Sequence, residues 1–113
     1  MKVIAESYGH AVTLNMEGEL TEDTLAAFKQ AVDHQLSNEE VVDLVFNLEL
    51  VPFVDSMALE YLLDLQARLS EKMGQVILAK PDENVRKILE ITRLESNFEI
   101  FDDIPQAIKA ISS

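Results

Sequence analysis

Hydrophobic positions along the chain change period several times, and each change marks a new element. Val12, Leu14 and Met16 alternate with Thr13, Asn15 and Glu17, the period of two expected of a strand with one buried face. The β-prone run Met1 to Tyr8 precedes them across Gly9-His10, so a hairpin of two strands, 1–8 and 11–17, is predicted. From Thr21 the spacing becomes helical. Leu25, Phe28, Val32 and Leu36 share one face, Thr21 is the expected N-cap, and acidic residues fall in the first turn. The run "VVDLVFNL" from Val41 is almost continuously apolar, as a strand covered on both faces should be, and it is placed at the centre of a sheet.

Beyond Pro52 the helical period returns, with Leu59, Leu62, Leu65, Leu69 and Met73 on one stripe and Gly74 as the stop. A buried strand follows from Gln75 to Ala79. A helix from Asp82 to Leu94 then turns Val85, Ile88, Leu89 and Ile91 inward, Phe98 to Phe101 forms a short strand, and a last helix carries Ile104, Ala107, Ile108 and Ile111. A hairpin followed by α, β, α, β, α, β, α predicts an α/β fold, with a mixed sheet of about five strands and about four helices. Residues 1–113 are expected to form a single domain. In such sheets functional groups collect outside the carboxyl ends of the strands, and Asp55-Ser56 lies just past that end of the central strand.

Charge narrows the partners. Nine basic residues against 21 acidic ones leave a formal net charge of -12, a field that repels nucleic acid and anionic lipid surfaces. The absence of cysteine excludes disulfides and thiolate chemistry. The first residues reach Glu6 too early for a secretory leader, and no apolar run approaches about 18 residues, so a cytoplasmic protein without membrane insertion is expected. A complete core pattern predicts a folded monomer or weak homodimer.

Little in the chain resembles catalytic machinery. The glycines at 9, 18 and 74 form no phosphate-binding loop, His10 and His34 are isolated, and the acidic pairs lack calcium-loop spacing. No metal, cofactor or enzymatic activity is expected. The remaining candidate is Asp55-Ser56. Either residue could cap the helix that starts there, and a serine on a loop at a helix N-terminus is open to phosphorylation beside a favourable dipole. Met57 precedes the inward stripe, so its flexible side chain is expected at the surface, available to a protein partner.

Three stretches, "VTLNMEGELTEDTLAAFKQAV", "VVDLVFNLELVPFVDS" and "VILAKPDENVRKILEITRLESNFEIFDD", together span most of the chain. In their order and motifs they resemble the STAS domain of bacterial anti-sigma factor antagonists and sulfate-transporter tails. The resemblance implies that Ser56 is phosphorylated by an ATP-binding serine kinase that is also the anti-sigma factor. It further implies partner contacts at Thr21, Asp55, Ser56, Met57 and Glu60. The chain departs from the family pattern after Ser56, where Met57, Ala58 and Glu60 stand in place of the usual Ser or Thr and the two glycines of Gly-Leu-Gly, only Leu59 fitting, and at Thr21, where the family tends to have Asp. An alternative expectation is a non-phosphorylated STAS subunit of a larger assembly, such as a lipid-transport or stress-sensing complex, with Ser56 serving only as a cap.

Overall fold

In the computed structural model, which describes residues 1–112, the elements follow in the predicted order: β1 (Lys2–Tyr8), β2 (Ala11–Glu17), α1 (Leu25–Leu36), β3 (Asp43–Leu50), α2 (Ser56–Ser70), β4 (Val76–Ala79), α3 (Glu83–Ile91), β5 (Glu99–Phe101) and α4 (Ile104–Ser112). The two-residue turn at Gly9-His10 can join only antiparallel neighbours, and β1 pairs antiparallel to β2. Each later strand is reached through a helix and pairs parallel to its predecessor, so the sheet order is β1-β2-β3-β4-β5. The apolar run at 41–48 supplies the middle strand, shifted by two residues because Val41 and Val42 are held in the preceding turn by hydrogen bonds to Asn38 and His10.

One face of the sheet carries the main core. Val12, Leu14, Leu44, Phe46, Leu48, Val76 and Leu78 meet Phe28 and Val32 of α1, Leu59, Leu62, Leu65 and Leu69 of α2, and Val85 and Leu89 of α3. Each fully buried Leu or Phe contributes roughly 1.5–3 kcal/mol, which makes helix docking on this face the principal stabilising contact. On the other face α4 packs, with Ala107 against Val45, Ile77 and Ala79. Ala11 and Thr13 are buried as well, so the start of β2 does not show the half-exposed alternation its sequence suggests.

Three local expectations are corrected. Thr21 does not cap α1: the helix begins at Leu25, after a turn in which the Thr24 amide donates to the Thr21 carbonyl (3.0 Å) and the Thr21 amide donates to the Thr24 hydroxyl (3.0 Å), and its first turn holds no acidic residue. Met73 is not on the inward stripe of α2. It adopts φ 64° in a Schellman cap, its amide donating to Ser70 and that of Gly74 to Leu69, and it is 96% exposed. Gly74 is required for a different reason, since a Cβ there would lie 1.8 Å from the Val42 carbonyl oxygen. The same cap closes α3, with Arg93 at φ 59°. Ile91, about 240° around the helix from Val85 at 100° per residue, is 81% exposed rather than inward.

Candidate functional site

Two loops leave the carboxyl ends of β2 and β3 and run side by side. Gly18 (φ 115°) occupies a conformation that L-side chains disfavour, which lets the chain leave β2 while the Gly18 amide donates to the Leu50 carbonyl (3.0 Å). The Leu20 amide then donates to Phe53 (2.9 Å) and the Asp55 amide to Leu20 (3.1 Å), a short parallel bridge between Leu20 and Val54. Both side chains of that bridge are buried. The loops are thereby tied to the core and to each other.

Asp55 completes the tie. As N-cap of α2, its Oδ1 accepts from the Ala58 amide (2.9 Å) while Oδ2 accepts from the Glu22 amide (2.7 Å). One carboxylate therefore satisfies a free helix amide and a backbone amide 33 positions earlier in the chain. This use of Glu22 also accounts for the late start of α1, because the Thr21–Thr24 segment takes its hydrogen bonds from Asp55 and Thr24 instead of a helix. Ser56 is not the cap. It is the first residue of α2, exposed, and its hydroxyl makes no hydrogen bond among the described residues.

Met57 is 46% exposed and lines a shallow groove of about 130 Å³ with Leu25, Lys29, Glu60, Tyr61 and Asp64. The Lys29 ammonium lies 5.1 Å from the centre of the Tyr61 ring, and Tyr61 meets Phe28 edge to face. The Tyr61 hydroxyl is closed off from solvent without a partner among the described residues. Burial, reinforced by the nearby Asp33 carboxylate and partly offset by Arg68, pushes its pKa up to about 12. Phe53, in the loop before the cap, is 44% exposed.

The structure thus brings Asp55, Ser56, Met57 and Glu60 together at the start of α2, with Thr21 on the adjoining loop. Sequence reasoning missed the Glu22 amide, Phe53, Lys29 and Tyr61. Pro52 and Phe53 could be recognised only as the end of an apolar run, and nothing in the local pattern pairs position 22 with position 55. The site's chemistry is an unpartnered hydroxyl at a helix N-terminus, on a backbone held from both sides. His10 and Asp43 pair at 3.5 Å, where Asp43 also accepts from the Gln75 amide; this contact lies at the amino end of β3, opposite the site. Among the described residues no helix is long and apolar enough to cross a membrane.

Comparison with known proteins gives a consistent family. The STAS domain profile matches residues 2–107. A Thermotoga neapolitana protein, described as the homologue of a candidate anti-sigma factor antagonist, is 27% identical over 100 residues, covering 88% of each chain. The crystal structure of a candidate anti-sigma factor antagonist from Thermotoga maritima superposes with a TM-score of 0.90 at 23% identity, over 98% of this chain and 95% of that one. The Bacillus cell-fate determinant SpoIIAA in its phosphorylated form has a TM-score of 0.74 at 20% identity, over 97% and 99% respectively.

Proposed function

This chain belongs to the STAS domain family, and on that premise we propose that it is an anti-sigma factor antagonist, a regulatory binding module switched by phosphorylation of Ser56. In this reading the unmodified domain docks on an ATP-binding serine kinase that is also the anti-sigma factor, and frees the sigma factor. It acts in the cytoplasm as a monomer or weak homodimer and performs no catalysis itself. Thr21, Asp55, Ser56, Met57 and Glu60 form the docking region.

The observation that carries the reading is the Ser56 hydroxyl, exposed and without a hydrogen bond among the described residues, on the first residue of a helix whose cap is supplied by Asp55. Because Asp55 caps, Ser56 can be modified without uncapping the helix. A phosphate there would add about -1.5 to -2 charge beside the helix N-terminus, which tolerates it, and within the docking surface, which must desolvate it. Such a charge at an interface costs about 2–5 kcal/mol, enough to release a partner.

A second reading, a STAS subunit of a larger lipid-transport or stress-sensing assembly in which Ser56 stays unmodified, is favoured by Glu60. That carboxylate lies one turn beyond Ser56 and would repel a phosphate by a few tenths of a kcal/mol. The two are separated by incubating the purified chain with the ATP-binding serine kinase of its own genome, reading Ser56 phosphate by mass spectrometry and affinity by titration. Labelling of Ser56, at least tenfold weaker binding of Ser56→Asp, and unlabelled but binding-competent Ser56→Ala are expected. Absence of labelling together with full-strength binding by Ser56→Asp would sink the switch.

A further inference from the structure

In the chain Ser56 is flanked by two exposed apolar residues, Phe53 in the loop before α2 (44%) and Met57 at the start of α2 (46%). Around them, Glu19, Glu22 and Asp23 are exposed on the adjoining loop and Glu60 and Asp64 on α2. Among the described residues the one basic side chain lining the adjacent groove is Lys29, whose ammonium is held over the Tyr61 ring. The face is therefore an apolar pair within an acidic rim, on a chain whose net charge is already -12.

We propose that this face is a docking surface for a protein whose matching surface is an apolar patch flanked by Lys and Arg side chains, and that the acidic rim steers that protein onto Ser56. The inference rests on the antagonist reading above and adds the chemistry of the partner. Charge selects the occupant. A nucleic acid or an anionic membrane would be repelled, and a second copy docked through the same face would set acidic rim against acidic rim. An oppositely charged surface is attracted before contact, which raises association rates by about 10 to 10³ and makes them fall with ionic strength. Phosphate on Ser56 would not reverse this steering, since it adds negative charge. It would release the partner by placing an unmatched group at the apolar centre of the contact.

The test uses the full chain and, as probe, the purified ATP-binding serine kinase of the preceding experiment, with association and dissociation rates followed by surface plasmon resonance at 50 and 500 mM NaCl. The association rate should fall at least tenfold between the two salts. Glu22→Lys combined with Glu60→Lys should slow association at least tenfold at low salt, while Glu39→Lys combined with Glu40→Lys, in the turn before β3, should change it less than twofold. Phe53→Ala and Met57→Ala should instead raise the dissociation rate at least fivefold, with melting temperatures within a few degrees of the parent. Association that is insensitive to salt, or slowed equally by both charge reversals, would overturn the inference while leaving the antagonist reading intact if Ser56→Asp still weakens binding. Failure of the unmodified chain to bind the kinase at either salt would overturn both.

Discussion

Asp55 is the residue on which the geometry of the site depends, and its two oxygens can be tested separately. Asp55→Ala removes the cap bond to the Ala58 amide and the bond to the Glu22 amide. Loss of an N-cap costs about 0.5–2 kcal/mol. A hydrogen bond to a charged group is worth about 1.5–3 kcal/mol, and the low end applies to Glu22, whose exposed amide regains water. The sum is about 2–3.5 kcal/mol, or a fall in melting temperature of roughly 8–14 °C at about 4 °C per kcal/mol. Asp55→Asn keeps one acceptor oxygen but presents an amide NH₂ to the other donor, so it should retain the cap, lose the link to Glu22, and cost about half as much. Urea denaturation supplies both free energies, provided the m-value is unchanged. Amide hydrogen exchange then assigns them: Glu22 should lose protection in both variants, Ala58 only in Asp55→Ala. If Asp55→Ala cost less than about 0.5 kcal/mol, or Asp55→Asn cost as much as Asp55→Ala with Glu22 still protected, the proposed division of labour between the two oxygens would be wrong.

Three further outcomes follow from the packing. The Tyr61 phenol, neutral when protonated, has its folded pKa raised from 10 to about 12, so the folded state holds its proton longer and stability should be full below pH 10 and lost as pH rises from 10 towards 12; discounted for a half-buried ring the loss is about 1–1.5 kcal/mol. Tyr61→Phe, which also removes an unpartnered buried hydroxyl, should match or exceed the parent stability at pH 7 and flatten that alkaline decline in urea melts. Thr13→Val should stabilise by about 1 kcal/mol, because the Thr13 hydroxyl is buried without a partner among the described residues and the replacement has the same shape; a destabilised variant would mean that the hydroxyl does have one. Gly74→Ala places a Cβ against the Val42 carbonyl at 1.8 Å and should lower the melting temperature by more than about 10 °C, whereas a neutral result would show that the turn before β4 can shift.

The sequence by itself determined the elements, their order and the α/β class. The signals are local: a period of two in β2, a period of 3.6 in α1 and α2, and a nearly continuous apolar run in β3. Periodicity reports which side of an element avoids water, and that does not depend on knowing the neighbour. It also located Ser56 and Met57 at the start of α2, since a change of period marks a helix entrance, and the family resemblance came from the same motifs. Tertiary structure decided the rest. Thr21 has the chemistry of a cap, but the Glu22 amide beside it is taken by Asp55 and α1 starts at Leu25. Ile91 and Met73 are apolar, yet the helices turn or end so that both face water. Thr13 alternates as a surface residue, yet lies on the face of the sheet that α4 covers. The division of roles between Asp55 and Ser56 was likewise invisible in the chain, because capping goes to whichever oxygen reaches the free amides, and the positions of Glu22 and Ala58 relative to Asp55 are set by the pairing of two loops that are 33 residues apart in sequence. Hydrogen-bond partners distant in sequence carry no local period, so they become legible only when the sheet brings them within about 3 Å of each other.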